Sequence, residues 1–112
     1  MIDIKYWNDL TDEPLTLENV KKRYTPASKY RIQFNFREPR RSSNGFWQKT
    51  SGFITYYIQK GTVIFKNEET LEEVTLGPGC IVKLPGGDYE CKVISEIRLE
   101  FIQVLELPDG WG

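Results

Sequence analysis

From Tyr30 to Arg37 the chain alternates without a break, Tyr30, Ile32, Phe34 and Phe36 against Arg31, Gln33, Asn35 and Arg37. Successive side chains leave a pleated strand on opposite sides, so this alternation predicts a β-strand with one polar face. Residues 52–58 and 62–66 are rich in β-branched and aromatic residues and predict two more strands. Asn67 to Thr70 reads as the turn of a hairpin whose second arm runs to Leu76, and Gly77-Pro78-Gly79 breaks that arm. Strands are then predicted over Cys80 to Leu84, Tyr89 to Ile94 and Ile97 to Leu105, with Pro85 to Asp88 as the turn between the first two. One short helix is predicted within residues 11–23. Thr16 is its N-cap, Leu17 and Val20 are three apart, and Lys21, Lys22 and Arg23 stand where a helix C-terminus favours positive charge. Pro26 ends it, Glu38 to Gly45 is loop chemistry, and Pro108 to Gly112 is a fraying tail. The chain therefore divides into an arm over 1–29, a β-barrel or sandwich over 30–105 and a tail over 106–112.

Composition narrows the chemistry. In 112 residues there is no histidine, which removes imidazole acid–base catalysis, the Ser-His and Cys-His nucleophile pairs and histidine metal sites. Fifteen basic side chains face sixteen acidic ones, but the balance is uneven along the chain. Residues 21–49 carry nine Lys or Arg against Glu38 alone, a segment able to steer anions or to serve as a solvated face. Nucleic acid is a poor candidate partner, because the chain is slightly acidic overall and lacks interleaved basic and aromatic residues. Asp3, Lys5 and Asp9 interrupt the first ten residues, so no signal peptide is expected, and no apolar run reaches membrane-spanning length. The expectation is a cytoplasmic protein with no membrane partner, whose Cys80 and Cys91 stay reduced and lie as diagonal neighbours on one sheet face.

The residues from Tyr56 to Glu90 resemble the core of a cupin. That family's second motif runs Gly, five residues, Pro, one residue, Gly, two residues, His; here Gly79, Pro85 and Gly87 take those places and Glu90 stands in the histidine position. Leu76-Gly77-Pro78 also fits, and Tyr56-Tyr57-Ile58-Gln59-Lys60-Gly61 reproduces the end of the first motif. The resemblance implies an all-β fold, a small double-stranded β-helix or jelly-roll barrel, preceded here by the short helix. It also implies a homodimer, since cupins commonly pair through sheet edges. The family's metal ligands do not carry over. Its glutamate falls at Ile54, and its first two histidines fall at Trp47 and Lys49 or, one residue on, at Gln48 and Thr50. One carboxylate at Glu90 without imidazole partners does not make a transition-metal site, so neither metal nor other cofactor is expected.

Those former ligand positions would still point into the barrel mouth. The candidate ligand-binding residues are therefore Trp47, Gln48, Lys49, Thr50, Ile54 and Glu90, joined by Tyr56 and Lys92 on the same strand faces and by the polar Gln33 and Asn35. The reading they support is metal-independent binding of a small organic molecule, which Arg37 to Arg41 would attract as a basic rim were it anionic. Two rivals stand beside it. Glu90 and Lys49 could act as acid and base of an isomerase or lyase, or the barrel could be filled while the basic surface over 21–49 binds another protein.

Overall fold

The computed structural model describes residues 2–39, 46–50 and 53–107, the 46–50 strand by its backbone. Of the expected loop from Glu38 to Gly45, residues 40–45, with Arg40 and Arg41, lie outside the described residues, as does the tail from residue 108. In chain order the elements are β1 (Ile4–Tyr6), α1 (Leu17–Lys21), β2 (Tyr30–Arg37), β3 (Phe46–Thr50), β4 (Ile54–Lys60), β5 (Val63–Asn67), β6 (Glu73–Leu76), β7 (Cys80–Lys83), β8 (Gly87–Val93) and β9 (Leu99–Glu106). They form two antiparallel sheets, one five-stranded in the order β1-β7-β4-β9-β2 and one four-stranded in the order β3-β8-β5-β6. The architecture is all-β with very little helix.

Two of these strands go beyond the pattern of the sequence. β1 is three residues long, too short to show a period, and exists because Ile4, Lys5 and Tyr6 pair with Val82, Ile81 and Cys80 of β7. β3 follows the expected loop and is held by pairing with β8 from Phe46↔Cys91 to Thr50↔Gly87. The expected neighbourhood of the two cysteines is corrected. Cys80 on β7 and Cys91 on β8 belong to different sheets, because the Pro85 to Asp88 turn carries the chain across the sandwich instead of closing a hairpin. Both thiols are free and buried.

The five-stranded sheet is covered on both sides, which explains why β4 reads Ile-Thr-Tyr-Tyr-Ile without alternation. One face of β4 sends Ile54, Tyr56 and Ile58 into the space between the sheets, where they meet Val63, Phe65, Leu76 and Tyr89. The other face sends Tyr57 outward under the N-terminal arm. There it packs with Trp7, Val20, Ile81, Ile102 and Val104. The arm is pinned at several points: Trp7 N–H donates to Gly79 C=O at 2.8 Å, Trp7 Nε1 donates to Glu13 C=O at 2.6 Å, and Thr16 Oγ1 caps α1 by accepting from Asn19 N–H at 3.2 Å.

The turns follow from residue type. Gly61 has φ +80°, and a Cβ there would stand 2.8 Å from Arg98 C=O, so the β4–β5 turn admits no side chain. Asn67 is buried and its Oδ1 accepts from Glu69 N–H and Thr70 N–H, each at 2.9 Å, closing the hairpin between β5 and β6. Tyr89 Oη donates to Pro85 C=O at 2.9 Å and fixes the turn into β8. No helix among the described residues is long and apolar enough to cross a membrane.

Candidate functional site

The register places a polar row on the inner face of the five-stranded sheet. Gln33 of β2 lies opposite Gln103 of β9, which in turn lies opposite Tyr56 of β4. One step along, Asn35 faces Phe101 and Phe101 faces Ile58. Residues directly opposite in an antiparallel ladder share a face, so Arg31, Gln33, Asn35 and Arg37 all stand on the inner side of β2. Asn35 Nδ2 donates to Gln103 Oε1 at 3.1 Å. Burial falls steadily along the row. Tyr56 is 2% exposed, Gln103 is half-buried and Gln33 is exposed, so solvent access rises toward the β2 edge. At the opposite edge Ile2 N–H donates to Glu72 Oε2 at 2.9 Å and ties the chain start to the β5–β6 hairpin.

At the inner end of the row the Tyr56 ring sits 5.5 Å from Phe65 and 5.7 Å from Phe101. Its hydroxyl is buried and has no hydrogen-bond partner among the described residues. Native proteins rarely leave a buried hydroxyl unpaired, so this one has a donor proton to spare. Burial drives its pKa above the ordinary tyrosine value, with Cys91 and Tyr89 acting in the same direction and Arg37 opposing them. Cys91, directed inward from β8, is pushed up to about 12 by burial, with Glu90 adding to the rise and Arg37 again opposing it. Both groups are therefore neutral near pH 7. The thiol is no nucleophile, and the phenol is a hydrogen-bond donor. Arg37 influences both, so its positive charge is felt in the space between the sheets.

The sequence-based candidates divide accordingly. Ile54, Tyr56, Gln33 and Asn35 share the inner face. Glu90 and Lys92 do not: β8 alternates with Tyr89 and Cys91 buried, which turns Glu90 and Lys92 to the outer face. There Glu90 lies opposite Lys66 of β5, and Lys66 opposite Glu73 of β6, a ladder of alternating charge on the solvent side. Trp47, Gln48, Lys49 and Thr50 are placed by register alone, opposite Glu90, Tyr89, Asp88 and Gly87. Lys49 is thus paired with Asp88 and not with Glu90. The inward residues that sequence reasoning missed are Cys91 and Gln103, and the alternation Tyr89-Glu90-Cys91-Lys92-Val93 was the signal for the first; Arg37, expected at the rim, stands on the inner face of β2. The basic segment is also split. Arg31 and Arg37 stand on the inner face of β2, whereas Lys21, Lys22 and Arg23 belong to the arm over the outer face.

A jelly-roll barrel of two antiparallel sheets closed on a shared apolar core is the class of protein this geometry defines. No protein-family model matches the chain, and no curated protein matches it. Solved structures do. A DUF861 family protein from Thermotoga maritima matches over 94% of this chain and 99% of its own, with a TM-score of 0.58 and 21% identity. A protein described as a predicted oxalate decarboxylase, also from Thermotoga maritima, matches over 96% of this chain and 81% of its own at a TM-score of 0.55 and 20% identity. A cupin superfamily protein from Desulfitobacterium hafniense matches over 96% and 79% at a TM-score of 0.53 and 9% identity. The chain has the cupin fold.

The divalent metal that cupins typically hold does not fit the residues of this one. By spacing the histidine position of the second motif falls on Glu90, on the outer face, and its inward neighbours are Tyr89 and Cys91; the glutamate position is the aliphatic Ile54; and the chain contains no imidazole. No group of three or more Cys, Asp or Glu side chains able to hold a metal occurs among the described residues. The inner face offers amides, a phenol and a thiol that stays protonated, all weak ligands for such an ion.

Proposed function

We propose that this cupin-fold chain binds a small organic anion between its sheets without a metal. The observation that carries the reading is the Tyr56 hydroxyl, buried without a partner among the described residues at the closed end of a row of amide side chains. An apolar wall of Phe65 and Phe101, a donor at its end, amides along one side and the charge of Arg37 suit a ligand with an apolar body and a carboxylate or similar group. Trp47, Gln48, Lys49 and Thr50 enter the proposal as residues of β3, the edge strand of the other sheet. Similarity to a protein described as a predicted oxalate decarboxylase is compatible with a carboxylate ligand. The neutral thiol and phenol favour binding over catalysis.

Native mass spectrometry of the purified protein tests this. The expected spectrum carries an organic mass that survives chelator, falls in Tyr56→Phe and stays unchanged in Glu90→Gln. A mass retained in Tyr56→Phe, or a metal removed by chelator, refutes the assignment. We propose further that the chain forms a homodimer through the edge strand β2, whose outer-face Phe34 and Phe36 are 40% and 45% exposed. Sedimentation of the wild type against a Phe34→Glu/Phe36→Glu variant checks this, and an unchanged monomer in both refutes it.

A further inference from the structure

On its other side the five-stranded sheet has a cavity of about 650 Å³, between β1, β7, β4 and the arm. Lys5, Ile81 and Tyr57 form one row of its floor, because Lys5 lies opposite Ile81 and Ile81 opposite Tyr57. Thr55 and Lys83 form the next row. Arg23, Tyr24 and Leu10 supply the wall from the arm, and Pro85 lies at the end. The sheet itself separates this cavity from the space around Tyr56.

Three cations line it against a single acid, Asp3. Lys83 is held by Glu106 at 2.7 Å, and the Arg23 guanidinium lies 5.6 Å from the Trp7 ring centroid. Lys5 makes no ion pair among the described residues. At the back of the cavity the hydroxyls of Tyr24 and Tyr57 hydrogen-bond to each other. Two hydroxyls carry two protons and the bond between them uses one, so the second is left for a third group. Burial holds both phenols above the ordinary tyrosine range and so keeps that proton in place. Arg23 opposes the shift at both, which sets its charge near the hydroxyl pair.

We propose that this cavity is a second ligand site, selective for a small aryl carboxylate. The ring would lie against Ile81 and Leu10, and the carboxylate would accept from Lys5 and from the free hydroxyl proton of the Tyr24–Tyr57 pair. The volume lies within the range of small-molecule sites, roughly 300 to 1,000 Å³. The excess of cations and the hydroxyl donor select the anion, while the apolar floor selects an aromatic body over inorganic phosphate.

The test is an amide-resolved NMR titration of the full chain with phenylacetate and, in parallel, its neutral amide phenylacetamide. Phenylacetate is expected to shift the amides of Lys5, Tyr57 and Ile81 saturably while leaving those of Tyr56 and Cys91 in place. Phenylacetamide is expected to bind about 10-fold more weakly, as for a lost charge-assisted hydrogen bond, and Lys5→Gln to weaken phenylacetate by a similar factor. Lys5 is exposed and makes no ion pair among the described residues, so this variant keeps the fold. The proposal is overturned by equal affinity for acid and amide, by unchanged affinity in Lys5→Gln, by saturable shifts confined to Tyr56 and Cys91, or by no saturation at about 10 mM, far above ordinary ligand levels. Tyr56→Phe leaves the outer cavity untouched, so phenylacetate shifts at Lys5, Tyr57 and Ile81 that persist in that variant report the outer site alone, and one site can fail without the other.

Discussion

Removing the hydroxyl of Tyr56 should make the ligand-free protein more stable and a worse binder, a pair of changes that a structural tyrosine does not show. The ring of Tyr56 is fixed between Phe65 and Phe101 and is almost wholly buried, and phenylalanine keeps that shape. What is lost is an oxygen with no partner among the described residues. A buried hydroxyl without a hydrogen bond costs about 1 to 3 kcal/mol, so its removal is expected to stabilise the empty protein by about 1 kcal/mol after packing losses. For a domain near this size that raises the melting temperature by roughly 4 to 8 °C. With ligand present the hydroxyl is the donor at the end of the site, and losing it weakens binding by about 1 to 3 kcal/mol, or roughly 5- to 150-fold. Calorimetric melting of ligand-free wild type and Tyr56→Phe reads the first effect, and the loss of organic mass reads the second. A variant that melts more than about 4 °C below the wild type has lost a hydrogen bond that served the fold, and the reasoning fails.

Other consequences are equally direct. Trp7 is 2% exposed, donates to Glu13 C=O and meets the Tyr57 ring edge-on at 6.0 Å, so Trp7→Ala should cost about 3 to 5 kcal/mol in urea unfolding; a loss below 1 kcal/mol contradicts the arm's role as a cover. Gly61→Ala must adopt φ +80° with its Cβ against Arg98 C=O, and a loss of about 2 kcal/mol or more is expected by the same assay. Burial raises Cys91 from 9.0 to about 12, so the unfolded chain releases this proton first and stability should fall as pH rises above about 9. Tyr24, Tyr56 and Tyr57, all raised, should add to the fall above about pH 10, and Cys91→Val should flatten only its onset; an unchanged midpoint from pH 8 to 11 contradicts the burial.

Most of the fold is written in features that survive without tertiary context. The alternation from Tyr30 to Arg37 marks β2, and Gly61, Gly79 and Pro85 mark turns whose backbone conformation depends on those residue types. What escaped was decided by partners distant in sequence. β1 is a strand only because β7 offers it an edge, and the Pro85 to Asp88 turn looks like a hairpin until both flanking strands are seen to have other neighbours. The site was legible in part. Gln33, Asn35, Ile54 and Tyr56 follow from alternation and lie on one face, whereas Glu90 and Lys92 were placed by counting motif spacing against the alternation of their own strand. Period two is imposed by the pleat, and a motif count that violates it has slipped by one residue.

Tyr56 and Tyr57 carry the same side chain one residue apart, yet they belong to different chemical spaces. Because successive residues of β4 leave opposite faces, Tyr56 enters the cleft between the sheets and Tyr57 enters the cavity under the arm. In each space a phenol kept neutral by burial ends a wall of apolar side chains, with a guanidinium nearby: Arg37 for Tyr56, Arg23 for Tyr57. The difference lies in the partner. Tyr57 already shares a proton with Tyr24, whereas Tyr56 shares none among the described residues, so Tyr56 has more to gain from a ligand. Filling the inner space should therefore order β4 and its neighbours more than filling the outer one.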